Sequence, residues 1–158
     1  PPRSTLFPYT TLFRSDSSIF GIRQVDNAYT SIAGLWAASS DEAQIQIEEN
    51  SPGALMVMAG GTIFNGGAYG RPGAHNGFVA KSGSFTITGV TIRHNQGSGL
   101  VIGERTRDWA ITGCRIADNG HTGSLAGSNW AFTGNVLARN GAPPEVLSEG
   151  VMVGNAGL

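Results

Sequence analysis

His94, Asp118 and Arg139 are the residues of this chain whose types and spacing point most directly to chemistry. Each stands immediately before an asparagine (Asn95, Asn119, Asn140), and each asparagine closes one copy of a recurring phrase. If the copies stack, the three side chains form one column. Histidine titrates near neutral pH, so a His94/Asp118 pair could move protons. With Glu149 as a further carboxyl, these are the predicted catalytic residues. Tyr69, Arg71, His75, Arg93, Arg115, His121, Arg139 and Glu145 are predicted to bind substrate. Arg93 and Arg115 suit acidic sugars in particular. The same column also fits a surface salt-bridge ladder of little energetic value. No close acidic cluster occurs on the central repeats, so no metal site is predicted.

The recurring phrase fixes what must position these residues. It reads Phe85-Thr-Ile-Thr-Gly89, Trp109-Ala-Ile-Thr-Gly113 and Trp130-Ala-Phe-Thr-Gly134. The copies are 24 and then 21 residues apart, counted between their glycines. A period in this range marks a solenoid, in which each unit buries its apolar face against its neighbours. Within each copy apolar residues alternate, which predicts a strand with those side chains on one face. A second strand follows (Val90–Ile92, Cys114–Ile116, Asn135–Leu137). A third has the form Gly-x-apolar-x-Gly: Gly99–Gly103, Gly123–Gly127 and Gly150–Gly154. Three strands and three turns make one coil of a parallel β-helix. An earlier coil is legible at Met56–Met58, Gly61–Ile63 and Gly77–Ala80. Before it, Gln44–Ile47 alternates like a strand, and Ile32–Trp36 fits the coil before that. Asp41-Glu42 fits either a turn between strands or a short helical turn.

Stacking predicts ladders of like residues, Thr88/Thr112/Thr133 and Asn95/Asn119/Asn140 among them. Phe85, Trp109 and Trp130 share parity with Ile87, Ile111 and Phe132. That places them in the core rather than on a sugar-binding surface. Cys114 occupies the place of Val90 and Asn135 and reads as a small core residue.

The pattern ITGxxIxxNxGxG over residues 54–154 resembles the right-handed parallel β-helix repeat of the pectate-lyase-like superfamily. The fold this implies is all-β, a right-handed parallel β-helix of about four to five coils, truncated. The superfamily spans polysaccharide lyases, glycosidases, sugar epimerases, phage tailspikes and adhesin-like proteins without an active site, so the fold alone does not name an activity. The resemblance implies a polysaccharide partner, an extracellular, cell-surface or virion location, and a homo-trimer in tailspike-like cases. Calcium enters by family analogy only; no other cofactor is implied. Gly120–Ser128 is similar to the GHGxSxGS segment of polygalacturonase-type glycosidases. It departs at Thr122, has Gly97-Ser-Gly-Leu100 where paired aspartates belong, and is followed by no Arg-x-Lys. We read it as a repeat turn.

Turn lengths suggest where a ligand would sit. Between second and third strands the middle coils have tight turns after Asn95 and Asn119. The flanking coils carry long excursions, Gly66–Asn76 and Gly141–Glu149. Two such walls around a low floor would make a cleft, with His121 in the floor. The expected function is contact with a polysaccharide, with cleavage by a lyase or glycosidase mechanism left open. The alternative is a non-catalytic stalk or adhesin segment.

Composition agrees with short strands. Glycine numbers 24 and charged residues make up 13% of the chain. Lys81 is the only lysine, so neither a basic nucleic-acid footprint nor a polybasic membrane patch is present. No run of 18 apolar residues occurs, so no helical membrane span is predicted. Pro1–Ser15 (PPRSTLFPYTTLFRS) resembles the translation of a short-read sequencing adapter and is set apart from the fold. Residues 16–53 are expected to form an ill-defined N-terminal coil or cap, and 54–158 the repeating coils. Both ends read as cuts in a longer protein.

Overall fold

The computed structural model describes residues 14–16 and 18–157. Among them there is no helix, and strands make up 61% of these residues. The strands are β1 (Arg14–Asp16), β2 (Phe20–Gln24), β3 (Tyr29–Ala38), β4 (Ala43–Ile47), β5 (Leu55–Phe64), β6 (Asn76–Thr88) and β7 (Thr91–Arg93). They continue with β8 (Ser98–Thr112), β9 (Arg115–Ala117), β10 (His121–Leu125), β11 (Ser128–Thr133), β12 (Val136–Ala138), β13 (Glu145–Val146) and β14 (Val151–Val153). Every pairing between them is parallel. The result is a parallel β-solenoid of about six turns.

Three faces run the length of the solenoid. Face 1 stacks the first halves of β3 and β5, the ends of β6 and β8, then β11 and β14. Face 2 stacks β1, the second halves of β3 and β5, then β7, β9 and β12. Face 3 stacks β2, β4, the starts of β6 and β8, then β10 and β13. Long strands such as β3 and β5 cross from face 1 to face 2 by bending at Gly34 and at Gly60–Gly61, all with positive φ. Glycine bears that conformation without a Cβ penalty.

The alternation predicts the core correctly. Ile87 pairs with Ile111 and Ile111 with Phe132, and all three are fully buried. Ile63, Ile92, Ile116 and Leu137 form the matching column on face 2. Phe85, Trp109 and Trp130 stack inside, with ring centroids 5.4 and 4.9 Å apart and the two indoles within 1° of parallel. Their edges are satisfied: Trp109 Nε1 donates to Ala126 O and Trp130 Nε1 to Ser148 Oγ. Cys114 is buried, and burial raises its thiol pKa above the ordinary value.

Several expectations need correction. Gly150–Gly154 is not a third strand; β14 pairs with β11 on face 1, and the third-strand place belongs to Glu145–Val146. A Gly-x-apolar-x-Gly outline says only that a short strand is flanked by turns, and first and third strands share it. The regular coil also begins earlier than the sequence pattern suggests. β2, β3 and β4 align in register with β4, β5 and β6, which gives about six turns where four to five were expected. The early columns are filled by less telling residues: Thr30 stands opposite Met56, and Gln24 opposite Ile47. Asp41-Glu42 is a bend leading into β4, not a helical turn. Of the adapter-like segment, Pro1–Phe13 lies outside the described residues. Its last two residues, Arg14 and Ser15, pair with Trp36 and Ala37.

Candidate functional site

The corner between faces 2 and 3 gathers the predicted column. Asn65, His94, Asp118 and Arg139 each open this corner in successive coils, and all four have φ between 52° and 60°. The next residue points inward. Asn119 Oδ1 accepts from Asn95 N and Asn95 Nδ2 at 3.1 and 2.9 Å. Asn140 Oδ1 accepts from Asn119 N and Nδ2, both at 3.1 Å. Asn95 Oδ1 in turn accepts from Gly66 N at 3.1 Å. This buried ladder fixes the corner, so the preceding side chain in each coil is held outward at a repeat of about 4.8 Å.

Asp118 lies at the centre of the column. Arg139 Nε and Nη2 donate to its two oxygens at 2.6 and 2.7 Å, a bidentate pair. His94 Nε2 is 3.8 Å from Oδ2. Hydrogen bonding from Arg139 holds the Asp118 carboxyl below the usual range, with the charges of Arg139, His94 and Arg115 acting in the same sense. The same pairing raises Arg139. A carboxyl so placed is an anion at neutral pH; it is not a proton donor. Any stability it adds is present above the ordinary carboxylate pKa and is lost as pH falls through its lower folded value. In a carbon-detected titration the Asp118 carboxyl is expected to stay ionised below the ordinary aspartate midpoint. Arg139→Ala should return it toward that midpoint, and an unchanged midpoint would show that the bidentate pair does not form in solution.

The other predicted residues divide into three groups. Tyr69, Arg71 and His75 lie in the excursion between β5 and β6. Arg71 packs over the Tyr69 ring at 5.3 Å and reaches back to Asp41 at 3.4 Å, and His75 Nε2 contacts Arg71 O at 2.7 Å. The excursion is thus tied to the preceding corner. It is also tied to the next coil: Gln96 Nε2 donates to Gly67 O at 2.9 Å, Gly97 N to His75 O at 3.1 Å and Ser98 N to Asn76 Oδ1 at 2.9 Å. His121 opens β10 and Glu145 opens β13, near one another at the start of face 3 where Pro143 and Ser124 complete a shallow depression. Glu149 stands apart. It follows β13 and leads to β14, so it lies at the corner between faces 3 and 1. The expected second wall is therefore split: Gly141–Pro144 leaves the column's corner and Leu147–Gly150 the next one. His94 and Asp118 come together, and Glu149 does not join them. The donor set does not fit calcium either. Among the described residues no three His, Cys, Asp or Glu side chains are placed to hold a metal ion, and Asp118's oxygens face Arg139.

Face 2 carries outward residues that sequence reasoning missed. Trp36 and Phe64 lie on the outward side of the coil, both half-buried, and meet edge to face, centroids 4.7 Å apart, with the Trp36 indole N–H buried and without a hydrogen-bond partner among the described residues. The Arg93 guanidinium lies over the Phe64 ring at 5.8 Å. Phe64 and Arg93 pair in register, and each immediately precedes a corner residue, Asn65 and His94. The strand parity of Trp36 against buried Leu35 and Ala37 is the signal that locates it. A second ion cluster, Arg23 and Lys81 with Glu48 and Arg105 with Glu49, occupies the opposite end of face 3 and is internally paired.

The fold and this corner define an all-β parallel solenoid with a polar, partly aromatic flank. Comparison of the chain with family models, curated proteins and solved structures finds no match.

Proposed function

We propose that this protein contacts a polysaccharide along face 2 and its corner with face 3, and that it binds the polymer without cleaving it. The observation that carries the reading is the outward Trp36–Phe64 pair with Arg93 over it, continuous with the His94–Asp118–Arg139 column. An aromatic face offers a sugar ring an apolar platform, and flanking charged and amide groups orient hydroxyls. The coil repeat of about 4.8 Å is close to the rise of an extended glycan. Glycoside hydrolysis needs a protonated acid opposite a second carboxyl. Asp118 is held ionised by Arg139, and Glu149 lies at another corner. The resemblance of the repeat to the pectate-lyase-like superfamily supports a right-handed coil, a polysaccharide partner, and an extracellular or virion setting. A stalk or adhesin segment is the second reading, favoured by the way Asp118 and Arg139 satisfy each other.

Glycan-array screening followed by calorimetry tests the proposal. Trp36→Ala is expected to weaken binding about tenfold or more; the variant also loses its packing on Phe64, so binding is measured below its lowered melting temperature, where circular dichroism shows it folded. Trp109 and Trp130 are buried, so ligand-induced fluorescence changes should vanish in that variant. Absence of binding to any glycan would favour the stalk.

A further inference from the structure

The last coils of face 3 hold a depression whose polar groups are left open. Ser98, His121, Ser124 and Glu145 line it, with Val101, Ala142 and Pro143 as apolar surface, around a volume of about 370 Å³. In the other ionic clusters each carboxylate is taken by a cation: Glu48 by Arg23, Glu49 by Arg105, Asp41 by Arg71 and Asp118 by Arg139. Here, among the described residues, none of the four polar side chains makes a hydrogen bond or ion pair. The strands set their spacing. Val101, Ser124 and Glu145 are successive rungs of β8, β10 and β13, and Ser98 and His121 are rungs of a second row three residues earlier. Rungs lie about 4.8 Å apart and the two rows about 10 Å apart. That frame matches one pyranose ring with its hydroxyls. The wall is fixed as well. Buried Thr122 donates from N and Oγ1 to Ala142 O at 3.0 and 2.8 Å, and Gly141 N donates to Asn119 O at 3.2 Å. Pro143 and Pro144 follow, each with φ held by its ring. Thr122, the residue that breaks the glycosidase-like segment, is thus the staple of this wall. A site so preformed loses little freedom when a ligand binds.

We propose that this depression binds a single neutral pyranose, at a site separate from the face 2 flank. None of Trp36, Phe64, Arg93, His94, Asp118 and Arg139 lines it. Pro143 and Val101 offer apolar surface to the C–H groups of the ring. The Glu145 carboxylate accepts from two neighbouring hydroxyls, and His121 and the two serines donate to and accept from the others. Charge sets the specificity. Glu145 is the carboxylate of the site, and no Arg or Lys lines it. The carboxylate of an acidic sugar would meet like charge there, and a neutral ring meets none.

Titration of the isotope-labelled full chain with methyl β-D-glucoside, galactoside and mannoside, followed by amide NMR, tests this, with methyl β-D-glucuronide as the acidic probe. At least one neutral glycoside is expected to shift the amides of Ser98, His121 and Ser124 and to bind about tenfold or more tighter than the glucuronide. Glu145→Gln removes the charge and keeps an acceptor, so the glucuronide should come within about threefold of the neutral sugar. Ser124→Val keeps a strand-forming residue and should weaken the neutral sugar about threefold or more, the usual worth of one hydrogen bond. Absence of these shifts with all three neutral glycosides would overturn the proposal, as would a glucuronide that binds the wild-type chain as tightly as they do. Shifts confined to Trp36, Phe64 and Arg93 would also overturn it and leave the reading of face 2 standing. A chain that binds no polysaccharide along face 2 but shows the face 3 shifts would uphold the site and end that reading alone.

Discussion

Ile111→Asp is expected to unfold the protein. Ile111 is fully buried between Ile87 in one coil and Phe132 in the next. A carboxylate there has no cation within the coil and no route to water. The cost of an unpaired buried charge, together with lost apolar contact, is on the order of 5 kcal/mol, which consumes most of the roughly 5–15 kcal/mol that holds a domain together. Two neighbours calibrate the result. Ile111→Val should cost only about 1 kcal/mol, the usual loss of one buried methyl. Thr112→Asp reverses the parity: its side chain points out and is exposed, so stability should change by no more than about 0.5 kcal/mol. Thermal melts followed by circular dichroism decide the matter. If Thr112→Asp unfolds the chain and Ile111→Asp does not, the strand parity of face 1 is inverted.

Asn119→Ala is expected to have the second largest effect. Asn119 is 4% exposed and its amide makes four hydrogen bonds, including Nδ2 to Ile92 O at 3.1 Å. Alanine leaves Asn95 N, Asn95 Nδ2 and Ile92 O without these partners. Each buried polar group so stranded costs about 1–3 kcal/mol, so a loss of about 3–5 kcal/mol is expected. Asn119→Asp keeps an oxygen for Asn95 and loses the donor to Ile92 O and Asn140, so it too should destabilise. Asn129→Ala, exposed at a different corner, should be nearly neutral although its Nδ2 reaches Asp108 Oδ1 at 2.6 Å. Chemical denaturation at neutral pH measures all three. A loss below about 1 kcal/mol for Asn119→Ala, the usual net worth of one hydrogen bond, would mean that water replaces the ladder.

A second asparagine ladder shows how local signals mislead. Asn135 sits where Val90 and Cys114 sit, a place read from the repeat as one for a small core residue. In the fold, Asn135 Oδ1 accepts from Cys114 N at 2.9 Å, and Asn155 Oδ1 accepts from Asn135 N and Nδ2 at 3.0 Å. Asn135 is fully buried because the ladder replaces water for it. The sequence shows the asparagines, and only the stacking shows that they bond each other.

What the sequence determined alone is the repeat and everything that follows from parity. Alternation at Phe85/Ile87, Trp109/Ile111 and Trp130/Phe132 dictates which side chains face inward, because period two leaves no other choice for a one-sided strand. Stacking of equal periods then places His94, Asp118 and Arg139 in one column. Tertiary structure decided what long-range register controls. It sent the excursion carrying Arg71 back to Asp41, put Glu149 at another corner, and assigned Val151–Val153 to face 1. It turned Trp36 and Phe64 outward together. None of these is legible locally, because a loop's direction depends on the ion pair it finds in a neighbouring coil. A strand's face likewise depends on which earlier strand it pairs with, and that partner lies some 20 to 30 residues away in the chain.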